Sequence, residues 1–252
     1  MNKYVAGVCG LLALTVCQAV QAQTLRFGTD PTYPPYESKK PDGSLVGLDI
    51  AIGNEICKTA GVTCQWVESG FDGLIPGLNA KKFDAVISSM APNAQRLKVI
   101  DFSQTLYEDN SRLISAKNAP LKPDAASLSG KNVGVLQGSV QAKYADAKWR
   151  SQGANVTEYP DQQSIYGDLA NGRLDATFVV ATSGQSAFLD QPIGKEYAFS
   201  GEPVKDPMLS ANSAIGVRKG DEQTLKLIND ALTKMTQDGT VARLEKEYLG
   251  KH

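Results

Sequence analysis

The chain has 252 residues, with 26 Lys and Arg against 27 Asp and Glu and a single histidine. A formal charge of −1 provides no basic field for nucleic acid. With its one histidine at position 252, the chain has none to spare for a nucleophilic triad or a His-bearing zinc site.

The first 22 residues read as a leader. Lys3 supplies a positive start, residues 5–16 are apolar, and Val20-Gln21-Ala22 is a small-residue cleavage site. That is a secretory signal, too short to span a bilayer comfortably. Cys17 follows Val16, where a lipoprotein signal wants Gly, Ala or Ser. A soluble exported chain cut after Ala22 is therefore expected, with 25 cations against 27 acids and a charge of −2 once Lys3 is lost. No later apolar stretch is long enough for a membrane span. Cys9 and Cys17 leave with the leader. The remaining pair, Cys57 and Cys64, close together in an exported chain, reads as a disulfide rather than a metal site.

The remaining chain opens with a strand over 24–29. Residues 30–36 hold three prolines and two tyrosines and read as a rigid loop. In it, Asp30 is either a turn-capping side chain or an anion offered to a ligand. Asp42-Gly43 marks a turn. Ile52, Ile56 and Ala60, spaced by four, predict a helix over 49–60. A strand over 62–67 and a helix over 72–80 follow. Ala85-Val86-Ile87 is a short apolar run of the buried-strand kind, and it empties into Ser88, Ser89, Pro92 and Asn93, a loop opening a helix. Hydroxyls, loop amides and Arg96 then gather beyond the carboxyl end of a buried strand, where ligands sit in open α/β sheets. Arg is the side chain best shaped to grip a carboxylate with two hydrogen bonds. The plain alternative is a solvated surface Arg.

Around 107–112 the chain passes into a second, similar series. It has a strand over 132–136, a loop at Gln137-Gly138-Ser139 opening a helix with Tyr144, a helix over 161–170, a strand over 176–180 and a helix around 183–189. The two series echo each other. Residues 78–85 (LNAKKFDA) match 169–176 (LANGRLDA) in spacing and character, each a helix end, a basic turn, then Asp-Ala entering a strand. The alternation argues for two α/β lobes, each with a mostly parallel sheet. Residues 204–212 are poor in periodicity. A strand over 214–217 and an amphipathic helical region over 224–248 close the chain, the latter needing a host, naturally the first lobe.

No glycine-rich phosphate loop is present, since Gly130-Lys131 lacks the spacing, and Ser183-Gly184 is not a nucleophile elbow. What remains is a ring of complementary groups in loops at strand ends. Tyr33 and Phe71 with Asp30 form a receptacle for a cationic chain. Arg96, Ser89 and Ser139 suit a carboxylate, helped by helix-start amides.

Taken in order, these stretches resemble the periplasmic solute-binding proteins of amino-acid ABC importers (family 3), nearest the lysine/arginine/ornithine- and histidine-binding group. The resemblance rests on residues 28–33 (GTDPTY), 71–76 (FDGLIP), 81–85 (KKFDA), Ser88-Ser89 with Arg96, 134–139 (GVLQGS) and 238–240 (DGT). It implies a two-lobed periplasmic-binding-protein fold of type II, closing on its ligand like a hinged clam. The lobes would be 23–108 plus 212–252 and 109–211, with hinges near 108–111 and 205–212. It implies that Tyr33 and Phe71 sandwich a ligand side chain, Asp30 meets its cationic end with Ser88 nearby, and Arg96, Ser89 and Ser139 hold an α-carboxylate. The disulfide matches as well. A monomer that delivers its ligand to an inner-membrane permease is expected, without cofactor, metal or catalysis.

Two positions depart from the family pattern. Relatives that bind basic amino acids carry an Asp for the ligand's α-ammonium where this chain has Val180, and often a hydroxyl where it has Ala91. Losing that acid removes a charge-assisted hydrogen bond of roughly 1.5–3 kcal/mol. The expected ligand has a carboxylate and a cationic tail but no ordinary free α-ammonium, as in an ω-guanidino or ω-amino acid or an opine. The open alternative is a one-residue misalignment or another anion serving the ammonium, which leaves an ordinary arginine, lysine, ornithine or histidine receptor. An enzyme like the periplasmic cyclohexadienyl dehydratases would need a buried acid in the cleft, for which Asp30 is the candidate. A ligand-reporting partner of a chemoreceptor or sensor kinase would use the same binding site.

Overall fold

The computed structural model describes residues 23–250; the leader over 1–22, with its cleavage after Ala22, and His252 lie outside the described residues.

Strand β1 (Thr24–Thr29) is largely buried, with Leu25 and Phe27 in the core. An antiparallel ribbon follows, β2 (Thr32–Tyr33), β3 (Glu37–Lys39) and β4 (Leu45–Val46). This corrects the expectation of a rigid loop over 30–36. Pro34 and Pro35 fall in the turn between β2 and β3, where no ladder hydrogen bond is required of them. The ribbon's register pairs Tyr33 with Glu37, so their side chains leave the same face.

Helix α1 (Leu48–Ala60) buries Leu48, Ile52 and Ile56 at four-residue spacing. It packs on β5 (Thr63–Glu68), and a Cys57–Cys64 disulfide joins the two elements. A single 3₁₀ turn at Phe71–Gly73, helix α2 (Leu74–Asn79) and strand β6 (Ala85–Val86) follow. The chain then leaves this lobe through β7 (Ile100–Glu108) and enters the other as β8 (Ser111–Ala116). There it forms α3 (Ala125–Leu128), β9 (Asn132–Leu136), α4 (Val140–Lys148), β10 (Asn155–Tyr159), α5 (Gln162–Ala170), β11 (Ala176–Val180), α6 (Ala181–Gly184) and β12 (Tyr197–Val204). It returns as β13 (Asn212–Arg218) and ends in α7 (Glu222–Gln237) and α8 (Thr240–Leu249).

The two sheets share one topology, β5-β1-β6-β13-β7 and β10-β9-β11-β8-β12. In each, one strand runs against the other four, and it is the one arriving from the opposite lobe, β13 in the first sheet and β8 in the second. Helices cover both faces. Phe27, Ile52, Ile56, Ile215 and Leu232 pack on the α1 and α7 side of the first sheet, and Leu74, Leu78 and Phe83 on the α2 side. Trp149, Phe178, Val133 and Leu113 fill the α4 side of the second.

The sequence echo has a physical basis. At the start of β6, Asp84 accepts a hydrogen bond from the backbone N of Arg26 (3.1 Å). Before β11, Asp175 does the same for Asn132 N (2.8 Å). Each carboxylate satisfies an amide near the start of the parallel strand beside it, β1 in the first lobe and β9 in the second.

The C-terminal helical region is two helices, broken at Gly239 with φ 79°, and both pack on α1 of the first lobe. Strands β7, β8, β10 and β12 escaped the sequence reading. β8 is central, but the reading treated its start only as a crossover; the other three are edge strands, and β7 and β12 carry register shifts.

Candidate ligand-binding site

The carboxyl ends of the parallel strands in the two sheets face each other, and the loops leaving them enclose a small cavity between the lobes. Asp30, Tyr33, Phe71, Ser88, Ser89, Ala91 and Arg96 line it from the first lobe, Ser139 and Val180 from the second. All nine residues singled out from the sequence meet there.

At one side the cavity is acidic. Asp30 follows β1 and is 3% exposed; its Oδ2 accepts from Phe71 N (3.2 Å), and its own N–H is taken by Ser88 Oγ (3.0 Å). Burial pushes the Asp30 carboxyl up to about 6, although the Phe71 amide favours its charged form. Ser88 donates in turn to Glu37 Oε1 (3.1 Å). Beneath lies Asp49, the second residue of α1, whose carboxylate accepts from Ser89 N (2.6 Å) and Tyr107 Oη (2.7 Å). Ser89, whose amide Asp49 holds, has φ 46°, a left-handed conformation rare outside glycine. Burial pushes Asp49 up to about 6. Glu37, buried beside Asp49, is pushed well above the carboxylate range, by desolvation first and the neighbouring Asp49 second, and its Oε2 has no hydrogen-bond partner among the described residues.

The other charged group is Arg96, 5% exposed, on a single 3₁₀ turn (Arg96–Lys98) rather than the α-helix expected after Asn93. Asn93 caps the turn, its Oδ1 accepting from Gln95 N (3.0 Å) and Arg96 N (2.9 Å). The surface-Arg alternative fails. The guanidinium donates to Ala91 O (2.7 Å) and, across the cleft, to Gly138 O (3.1 Å), and lies 5.4 Å from the Phe71 ring centre. Among the described residues it forms no ion pair, and burial alone pushes it down to about 10. Phe71 thus stands between the two charges, its amide on Asp30 and its ring beside Arg96.

From the second lobe, Ser139 caps α4, accepting from Ala142 N (3.0 Å). Val180 ends β11, and its N–H donates to Tyr33 Oη (3.2 Å), a second bond across the cleft. Gly138 has φ 74°, and a Cβ there would lie 3.1 Å from Asp72 Cα of the opposite lobe. Gly138→Ala is therefore expected to hinder closure and weaken ligand binding about tenfold or more, since the added methyl meets Asp72 only when the lobes come together and overpacking costs about 1–3 kcal/mol. Titration calorimetry on the variant, with a melting curve to show it folds, checks this.

Sequence reasoning missed Glu37, Asp109, Gln141, Ser210 and Ser213, which also line the cavity. Glu37 was hidden by the unrecognised β2–β3 ribbon. Asp109 sits in the crossover between β7 and β8, where its Oδ2 accepts from Tyr36 Oη (2.8 Å) and Thr182 N (2.9 Å). Gln141 donates to Ser111 Oγ (2.9 Å). A carboxylate in the predicted hinge was the available signal for Asp109.

Residues 25–251 match the family model of bacterial extracellular solute-binding proteins, family 3. The chain belongs to that family. Among its relatives, the lysine/arginine/ornithine-binding periplasmic protein of Escherichia coli K12 is 46% identical, over 98% of this chain and 97% of that protein. The histidine-binding periplasmic protein of Salmonella typhimurium LT2 is 42% identical over the same shares. An ancestral arginine-binding protein solved with arginine superposes with a TM-score of 0.83 at 31% identity, covering 89% of this chain and 97% of that one. The solute-binding fold read from the sequence is thus the fold observed, and these relatives are binding proteins rather than enzymes. Among the described residues of this solute-binding protein, no helix is long and apolar enough to cross a membrane.

Proposed function

We propose that this solute-binding protein is exported to the periplasm, cut after Ala22, and captures a small solute with a carboxylate and a cationic tail for an inner-membrane ABC permease. The observation that carries this is the pair of buried, opposite charges lining one cavity without pairing to each other. Arg96 spends its donors on main-chain carbonyls and leaves its charge for a carboxylate, while Asp30 holds the opposite charge beyond Phe71. Tyr33 and Phe71 offer aromatic surface to the chain between the two ends, and Ser88, Ser89 and Ser139 add polar contacts. Val180 and Ala91 present only apolar side chains, which favours a solute without a free α-ammonium, a guanidino acid, an ω-amino acid or an opine.

Asp109 favours a second reading. It is a carboxylate on the same cavity wall, bonded to the amide two residues beyond Val180, and can serve an α-ammonium in place of the missing acid. The solute is then ordinary arginine, lysine, ornithine or histidine. A thermal-shift screen of the mature protein with these four against guanidinobutyrate, aminovalerate, octopine and nopaline separates the readings. A ligand at a hundred times its dissociation constant adds about 2.7 kcal/mol. Shifts with the second group alone support the derivative, shifts with free amino acids support Asp109 as the ammonium's partner, and no shift in either group contradicts the proposal. The buried carboxyl of Glu37 also adds an acid to the one considered for a dehydratase. Product formation from prephenate or arogenate would support that activity instead.

A further inference from the structure

We propose that Glu37 is a second acid of the binding site, acting with Asp30 on the cationic end of the ligand and losing its proton to solvent when that end enters. The inference rests on the reading of the cavity as a site for a carboxylate and a cationic tail, and adds how the tail is recognised.

Glu37 shares a face of the β2–β3 ribbon with Tyr33, and both line the cavity. It is 1% exposed, and no Lys or Arg among the described residues pairs with it. Its Oε1 accepts from Ser88, the hydroxyl that also binds the amide of Asp30, so Ser88 ties the two acids together. The groups around Glu37 are Asp30 from the loop after β1, Tyr33 on β2, Asp49 on α1 and Tyr107 on β7, all acidic or neutral. Nothing in this set supplies a positive charge.

A purely structural role explains Glu37 poorly. Asp49 already has two donors, Ser89 N and Tyr107 Oη, and needs no third. A glutamine at 37 would accept the Ser88 bond equally well through its carbonyl, without the cost of a titrating buried acid. What glutamine cannot supply is a negative charge when a cation arrives. Desolvation and Asp49 keep Glu37 protonated while the site is empty; a cation in the cavity reverses the balance, and the proton passes to the buffer. The cationic end then meets two carboxylates, an arrangement suited to a guanidinium, whose donors leave from several edges.

The test is calorimetric titration of the mature protein and of Glu37→Gln with arginine, 4-guanidinobutyrate and neutral citrulline. It is run from neutral pH to pH 8 in two buffers of different ionisation enthalpy. For the wild type, the cationic probes are expected to release a proton, with affinity rising by up to about tenfold per pH unit. Glu37→Gln is expected to abolish the release and weaken those probes about tenfold or more, leaving citrulline within twofold. Wild-type binding of a cationic probe without proton release, or unchanged affinity in Glu37→Gln, would overturn the role of Glu37 alone. Failure of both cationic probes to bind the wild type, with no binding of aminovalerate or lysine either, would overturn the functional reading and this inference together.

Discussion

Arg96→Ala is expected to cut affinity for carboxylate-bearing ligands more than a hundredfold, the largest effect of any single change in the site. Truncating one partner of a buried, hydrogen-bonded charge pair costs about 2–5 kcal/mol, and here the guanidinium is 5% exposed with no acidic partner among the described residues. The change also removes the bond to Gly138 O across the cleft, so the closed form loses a contact as well as a charge. Arg96→Lys should recover only part of the loss, because an ammonium cannot reach Ala91 O, Gly138 O and a carboxylate with the fork geometry of arginine. Near-normal affinity in Arg96→Ala, measured by calorimetry, would place the carboxylate elsewhere.

The second large effect is expected at Asp30. Asp30→Asn keeps the shape of the side chain and removes its charge, so cationic-tailed ligands should weaken by about tenfold to a hundredfold, as for loss of a hydrogen bond to a charged group. Ligands with neutral tails should change little. The same substitution should stabilise the empty protein. Burial raises the folded-state carboxyl from 3.8 to about 6, so its contribution to stability is fully present below about pH 4 and is lost as pH rises through 6. The difference in melting temperature between Asp30→Asn and wild type should therefore be small near pH 4 and grow in favour of the variant through pH 6. Binding runs the other way, since a cation needs the ionised Asp30, and affinity should fall as pH drops below 6. Equal losses for cationic and neutral ligands, or a melting difference independent of pH, would contradict this role.

The lobes and the site differ in how far they could be read from sequence. Central strands such as β9 and β11 are short apolar runs, and α1 and α7 have helical spacing, so the pattern of burial and the pattern of residues coincide. The edge strands β7, β10 and β12 have one side open to solvent, and their sequences carry no matching alternation. Asp30, Arg96 and Ser139 were legible because each sits at the end of a recognisable strand, and strand ends are where this architecture gathers ligands. Glu37 was not. It depends on a two-residue pairing around Pro34 and Pro35, and on a chain of bonds through Ser88 that joins residues about 50 positions apart. Asp109 was named only as part of a hinge, since nothing local shows that its carboxylate turns toward Thr182 at the start of α6. Arg96 shows the reverse. Its residue type pointed to a carboxylate, but its burial and its reach to Gly138 come from how the two lobes meet.

The proposed binding mode requires one solute to use both charges of the cavity. Titration calorimetry with arginine, 4-guanidinobutyrate, agmatine and citrulline at neutral pH tests it. The first two carry both a carboxylate and a guanidinium, agmatine lacks the carboxylate, and citrulline has a neutral tail. Binding of arginine or 4-guanidinobutyrate, with agmatine and citrulline at least about a hundredfold weaker (about 2.7 kcal/mol), is the predicted result. Agmatine or citrulline binding as tightly as the two-charged probes would contradict it.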